Sequence, residues 1–98
     1  TDADHLDAAA DAAVSALGGG PWPVEALHGI PAAVRSRVWR RLLTAAGAPA
    51  SQVSTRHVEA CDALLTAWRG QGPVHAPGAL LVRRSGSRVS IAPSALVE

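Results

Sequence analysis

The stretch Gly29–Gly47, GIPAAVRSRVWRRLLTAAG, constrains the chain more than any other, because it is bounded at both ends and two-sided between them. Pro31 has a φ that is already helical, and it lacks only an N–H that the first turn leaves without a helical partner. Gly47 suits a left-handed cap at the other end. An advance of about 100° per residue gathers Val34, Val38, Leu42, Ala45 and Ala46 into an apolar stripe with Trp39 and Leu43 at one edge. Arg37, Arg40, Arg41 and Thr44 fall opposite. The spacing predicts a helix over 31–46 that packs on one face and presents guanidinium groups on the other, the bland alternative being a solvated face. Arg35 lands inside the apolar arc. Either its stem lies on apolar surface and its head reaches water, or it is paired or ligand-bound.

Two further helices are expected. Leu6, Ala9, Ala10, Ala13, Val14 and Leu17 recur at helical spacing on an Ala-rich background, which predicts an N-terminal helix within residues 1–17. Asp2, Asp4 and Asp7 stand at its start, where carboxylates cap free N–H groups and meet the positive end of the dipole. Capping and solubility account for this helix's four Asp better than a metal does. Gly18–Gly20 stop it, Pro21-Trp22-Pro23 reads as an extended connector, and Trp22 as a lid on the core edge. Residues 24–29 carry too few periodic positions for a regular element, with Leu27 and Ile30 anchoring the approach to the central helix. After a connector containing Pro49, a third helix is predicted over 55–68, capped by Ser54 or Thr55. His57, Cys61, Leu64, Leu65 and Trp68 share one arc, with Val58 beside it. The short connector makes an αα-hairpin of the second and third helices, with Trp39 and Trp68 filling the interface. The His57–Cys61 spacing would suit a soft metal or a Cys–His nucleophile, but the other His lie in distant segments and no second Cys exists. Both are read as structural, buried and free of metal.

Beyond Gln71 the code changes to strand, through Pro73-Val74-His75 into a hairpin over 79–92. Placing the two-residue turn at Ser85-Gly86 sets Val82 opposite Val89, Leu80 opposite Ile91 and Arg83 opposite Arg88. Moving the turn by one residue would set Arg84 opposite Val89, so the first register is the more consistent. The 98 residues allow one domain, and the absence of Met leads us to expect an excised piece of a longer parent chain. The net charge of +1 is too small to imply nucleic-acid binding by itself, so any electrostatic footprint must come from clustering of the nine Arg, while the acids segregate towards the N-terminus. One cysteine permits no internal disulfide, and no signal-peptide pattern or long apolar run is present. A reducing cytoplasm is the expected location.

GIPAAVRSRVWRRLL, then RHVEACDALLTAWRGQGPVHAPGALLVRR, then a short basic hairpin, together resemble the domain that follows the catalytic domain in bacterial tRNA(Ile)-lysidine synthases. The opening DADHLDAAA resembles the helix leading into that domain, so the likeness covers nearly the whole chain. Enzymes of this family use ATP to activate the wobble cytidine of an isoleucine tRNA and join lysine to it. Their catalytic S-G-G-x-D-S loop has no counterpart here, since Gly18–Gly20 run into Pro21 and Trp22. The resemblance therefore implies a non-catalytic RNA-binding piece of a tRNA-modifying ligase. It would hold no cofactor itself, ATP and Mg²⁺ belonging to the parent. Its implied partners are tRNA and the parent's catalytic domain, with neither DNA nor membrane. The elements read from the residues add up to an α+β fold, mostly α: an entry helix plus an αα-hairpin with a small C-terminal antiparallel β-hairpin. Bidentate guanidinium contacts suit phosphate. The candidates are Arg37, Arg40 and Arg41, then Arg83, Arg84 and Arg88, then Arg69, and lastly Arg35. The rival is a protein-interaction module whose Arg face docks an acidic surface. A helix-turn-helix lacks the Asn, Gln and Arg mix for base readout, and no complete catalytic constellation supports an independent enzyme.

Overall fold

Helix α1 (Asp2–Leu17) leads to a short strand β1 (Trp22–Pro23) and a one-turn helix α2 (Val24–His28), and then to the central helix α3 (Ala32–Ala45). A 3₁₀ turn at Ala50–Gln52 precedes α4 (Thr55–Thr66), and strands β2 (Val74–Ala76), β3 (Leu80–Ser85) and β4 (Arg88–Pro93) follow, with α5 (Ser94–Val97) last. This computed structural model describes residues 1–97. The fold is α+β and mostly α. Helix α1 packs on α3, α3 on α4, and α4 on β2 and β3. Ala10, fully buried, sits on the inner face of α1. Leu27, Val38, Trp39, Leu43, Leu64, Leu80, Val82 and Val89 form the core beneath.

In α3, Pro31 is the N-cap rather than part of the first turn, its carbonyl accepting from Val34 and Arg35 N–H. At the far end Gly47 (φ 118°) donates to the Thr44 carbonyl and Ala48 to that of Leu43, a paired closure that satisfies the last carbonyls. Val34, Val38, Trp39, Leu42 and Leu43 are buried as expected, whereas Ala45 and Ala46 are exposed. Helix α4 starts at Ser54, whose hydroxyl accepts from the His57 N–H while His57 Nδ1 accepts from the Ser54 N–H at 3.0 Å. His57 is therefore half-buried and turned back to the cap instead of lying in the core arc with buried Cys61. The helix ends two residues earlier than its apolar spacing suggests. Trp68 consequently lies beyond it, 37% exposed, and does not join Trp39 in the helix interface.

Three elements differ from the sequence expectation. Residues 24–28 form α2, which buries Leu27. Trp22 and Pro23 form an edge strand, where a missing N–H is tolerated, and pair with Val89 and Arg88. The expected hairpin is thus the centre of a four-stranded antiparallel sheet of order β1-β4-β3-β2. Its turn is Gly86-Ser87, so Arg84 faces Val89, Val82 faces Ile91, Arg83 faces Ser90 and Leu80 faces Pro93. The expected pairs Val82–Val89, Leu80–Ile91 and Arg83–Arg88 do not form. Positive φ at Gly86 (59°) and not at Ser87 matches the two-residue turn that takes Gly first.

Candidate nucleic-acid interface

Two of the three arginines on the outer face of α3 are met by α1. Arg37 Nε donates to Asp7 Oδ1 at 3.1 Å, Arg41 Nε to Asp11 Oδ1 at 2.7 Å, and Arg41 Nη2 to Asp7 Oδ1 at 3.3 Å. Two carboxylates a helical turn apart thus meet two guanidinium groups a turn apart. Arg40 reaches the other way and donates to the Val53 carbonyl at 2.7 Å. About 30% of the Arg37 and Arg41 side chains stays open. The bond to Asp11 raises the Arg41 pKa further, against the opposing effect of burial. Asp7 and Asp11 are therefore counter-charges, while the N-cap of α1 is Thr1, whose hydroxyl accepts from the Asp4 N–H at 3.2 Å.

Arg35, the last of the candidates, takes the paired alternative. It is 7% exposed and held by Asp62 through two bonds of 2.5 and 3.0 Å, with a third at 2.7 Å to the Ile30 carbonyl. Trp39 Nε1 donates to the same carboxylate at 3.0 Å. Burial pushes the Asp62 carboxyl up, but the bonds from Arg35 and Trp39 outweigh it and the net direction is down. With its donors so engaged and its stem enclosed, Arg35 joins α3 to α4. The sequence reading missed Asp62. Its signal was an acid four residues after Val58 and three before Leu65, hence on the buried stripe of α4.

Arg84 is half-buried on the core face of β3. Nη1 donates to the Leu64 carbonyl and Nε to that of Gly86, each at 2.8 Å, and the guanidinium lies 4.8 Å from the Trp68 ring centroid. These anchors accompany the register that places Arg84 opposite Val89. The WRGQ segment is fixed by Gln71, whose Oε1 accepts from the Arg69 N–H at 2.8 Å and whose Nε2 reaches the Ala67 carbonyl at 3.4 Å. Arg69, Arg83 and Arg88 are exposed, as is Arg56 in the first turn of α4, which the sequence reading left out. Among the described residues, the side chains of these four have no ion-pair or hydrogen-bond partner. No three His, Cys, Asp or Glu among the described residues gather as a metal site, and burial pushes the Cys61 thiol up to about 12. No helix among them is long and apolar enough to cross a membrane.

The architecture defines a class: a small, mostly helical α+β domain with free arginines on its loop and sheet side and an acidic helix laid over its central arginine row. The TilS substrate binding domain family matches residues 23–90, and the chain belongs to that family. It is 46% identical over 92 residues to a tRNA(Ile)-lysidine synthase of Thermobifida fusca (strain YX), covering 92% of this chain and 28% of that protein. It is 41% identical over 92 residues to a tRNA(Ile)-lysidine synthase of Streptomyces coelicolor, covering 92% of this chain and 26% of that one. The chain thus spans about a quarter of the length of these relatives. No solved structure gives a significant match. The matched segment carries all nine Arg against Glu25, Glu59 and Asp62, whereas α1, outside it, carries four Asp and no Arg.

Proposed function

We propose that this chain is the tRNA-holding part of a tRNA(Ile)-lysidine synthase. It fixes the body of the RNA while the catalytic domain of the parent, using ATP, Mg²⁺ and lysine, modifies the wobble cytidine in the cytoplasm. One observation carries the reading: the family-matched segment concentrates nine Arg against three carboxylates, a strongly basic body that the overall charge of +1 conceals. Phosphate contacts of this kind position a nucleic acid without reading its bases. Arg69, Arg83 and Arg88 lead the set, because their guanidinium groups hold no protein partner among the described residues. Arg56 joins them. Arg37, Arg40 and Arg41 stand behind, since phosphate would have to compete there with Asp7, Asp11 and the Val53 carbonyl. The acidic surface that the α3 row docks is the chain's own α1, which weakens the protein-docking alternative.

The test is salt-dependent tRNA binding by this chain and by the parent enzyme. Replacing Arg69, Arg83 and Arg88 together with Gln is expected to weaken binding across tRNA sequences and to make the salt slope shallower by up to about one unit per residue. Unchanged affinity and slope would remove these residues from the interface. The chain alone is expected to show neither ATP hydrolysis nor lysine transfer, and metal-dependent turnover by the purified chain would contradict the assignment of chemistry to the parent.

A further inference from the structure

The WRGQ loop is built more firmly than a connector needs. Gln71 ties its backbone to the end of α4, and Arg84, itself anchored on two carbonyls, backs the Trp68 ring. Trp68 is the exposed large apolar side chain of the described residues, whereas Trp22 and Trp39 are buried. A single exposed apolar side chain is ordinary on a protein surface, so its 37% exposure alone assigns nothing. Here the ring is held in place and stays open. Its next neighbour in the chain is Arg69, exposed and unpartnered among the described residues. The C-terminal carbonyls of α4, which would repel an anion, are also partly neutralised: Arg84 takes Leu64, and Gln71 takes Ala67.

We infer that Trp68 is a stacking platform for an unpaired or end-exposed RNA base, with Arg69 on the adjoining phosphate. This rests on the tRNA-holding function proposed above and adds to it a contact of a different kind. An ordered aromatic ring beside a free cation is the pairing that binds single-stranded nucleic acid: any base presents a π-face, and the phosphate next to it needs a positive partner. Stacking on a fixed ring also costs little side-chain freedom on binding, and the Arg84 guanidinium behind the ring supplies that fixation.

The experiment uses this chain with three probes: tRNA, a short oligoadenylate, and an abasic ribose-phosphate oligomer of the same length and charge. Binding and tryptophan emission are followed together. The share of the emission that is lost in Trp68→Ala, and so belongs to Trp68 rather than to Trp22 or Trp39, is expected to fall on adding tRNA or oligoadenylate and to change little with the abasic oligomer. Trp68→Ala should weaken the base-bearing probes by about five- to a hundred-fold and leave the abasic one unaltered. Trp68→Phe should restore most of the loss. Melting temperatures of both variants separate a binding defect from a folding one. Equal, salt-dependent binding of all three probes with no effect of Trp68→Ala would overturn the platform and leave the phosphate-holding function standing. No binding of any RNA would remove both. Quenching of Trp68 by the isolated catalytic domain in the absence of RNA would reassign the ring to a protein contact and overturn the inference.

Discussion

From its place on α4, Asp62 holds two side chains of α3, and its removal should cost more than that of any surface charge in the molecule. In Asp62→Ala the Arg35 guanidinium stays enclosed between α3 and α4 without its carboxylate, and Trp39 loses its acceptor. Breaking a fully buried pair from one side costs about 3–5 kcal/mol, and with the Asp62 side chain 28% exposed the loss should fall at the low end of that range when read from denaturant unfolding. The pH dependence follows from the lowered Asp62 pKa. Its contribution is complete above the ordinary carboxylate range near pH ~4 and is lost as pH falls through the lower folded value. The gap between wild type and Asp62→Ala should therefore be constant from neutrality to about pH 4 and shrink below it; a gap that grows on acidification would contradict the pairing. Cys61 offers a second test at this scale. With the thiol buried and raised to about 12, a thiol reagent at neutral pH should label it only after unfolding, and rapid labelling of the native chain would place it at the surface.

Between elements, the ionic and apolar parts of the α1–α3 contact should separate by experiment. Asp7 and Asp11 are 51% and 71% exposed, so Asp7→Asn with Asp11→Asn is expected to cost under about 1 kcal/mol per pair, a cost that disappears at high salt. Ala10→Leu, at a fully buried position, should cost about 1–3 kcal/mol at any salt. The turn between β2 and β3 makes another close contact. A Cβ on Gly78 (φ 82°) would stand 2.8 Å from the Gly47 carbonyl oxygen, so Gly78→Ala must force the turn away from the end of α3. A loss of about 1–3 kcal/mol in unfolding experiments is expected. The long helices were legible because apolar spacing and end residues agreed, as Pro31, Gly47 and Ser54 illustrate. What escaped had a partner elsewhere in the chain: β1 is defined by its pairing with Val89 and Arg88, and Arg84, in the register set by the Gly86-Ser87 turn, meets the Leu64 carbonyl. The candidate site was half legible for the same reason. Periodicity placed Arg37 and Arg41 on one face of α3, but it could not reveal that the Asp7 and Asp11 side chains would lie across them.

At the scale of the whole molecule, the sheet joins distant parts of the chain. Strand β1 is the second element in sequence and pairs with β4, the furthest along the chain of the sheet's four strands, and the Val24 N–H donates to the Ser87 carbonyl at 2.7 Å beside that pairing. During synthesis, Trp22 therefore emerges long before Val89 exists to lie against it. Contacts of such separation are expected to form after the local α3–α4 and β3–β4 units. An unfinished chain carries an uncovered indole and an unpaired strand edge until Arg88 and Val89 arrive, so ribosome-bound intermediates cut short of β4 should be the ones that chaperones hold.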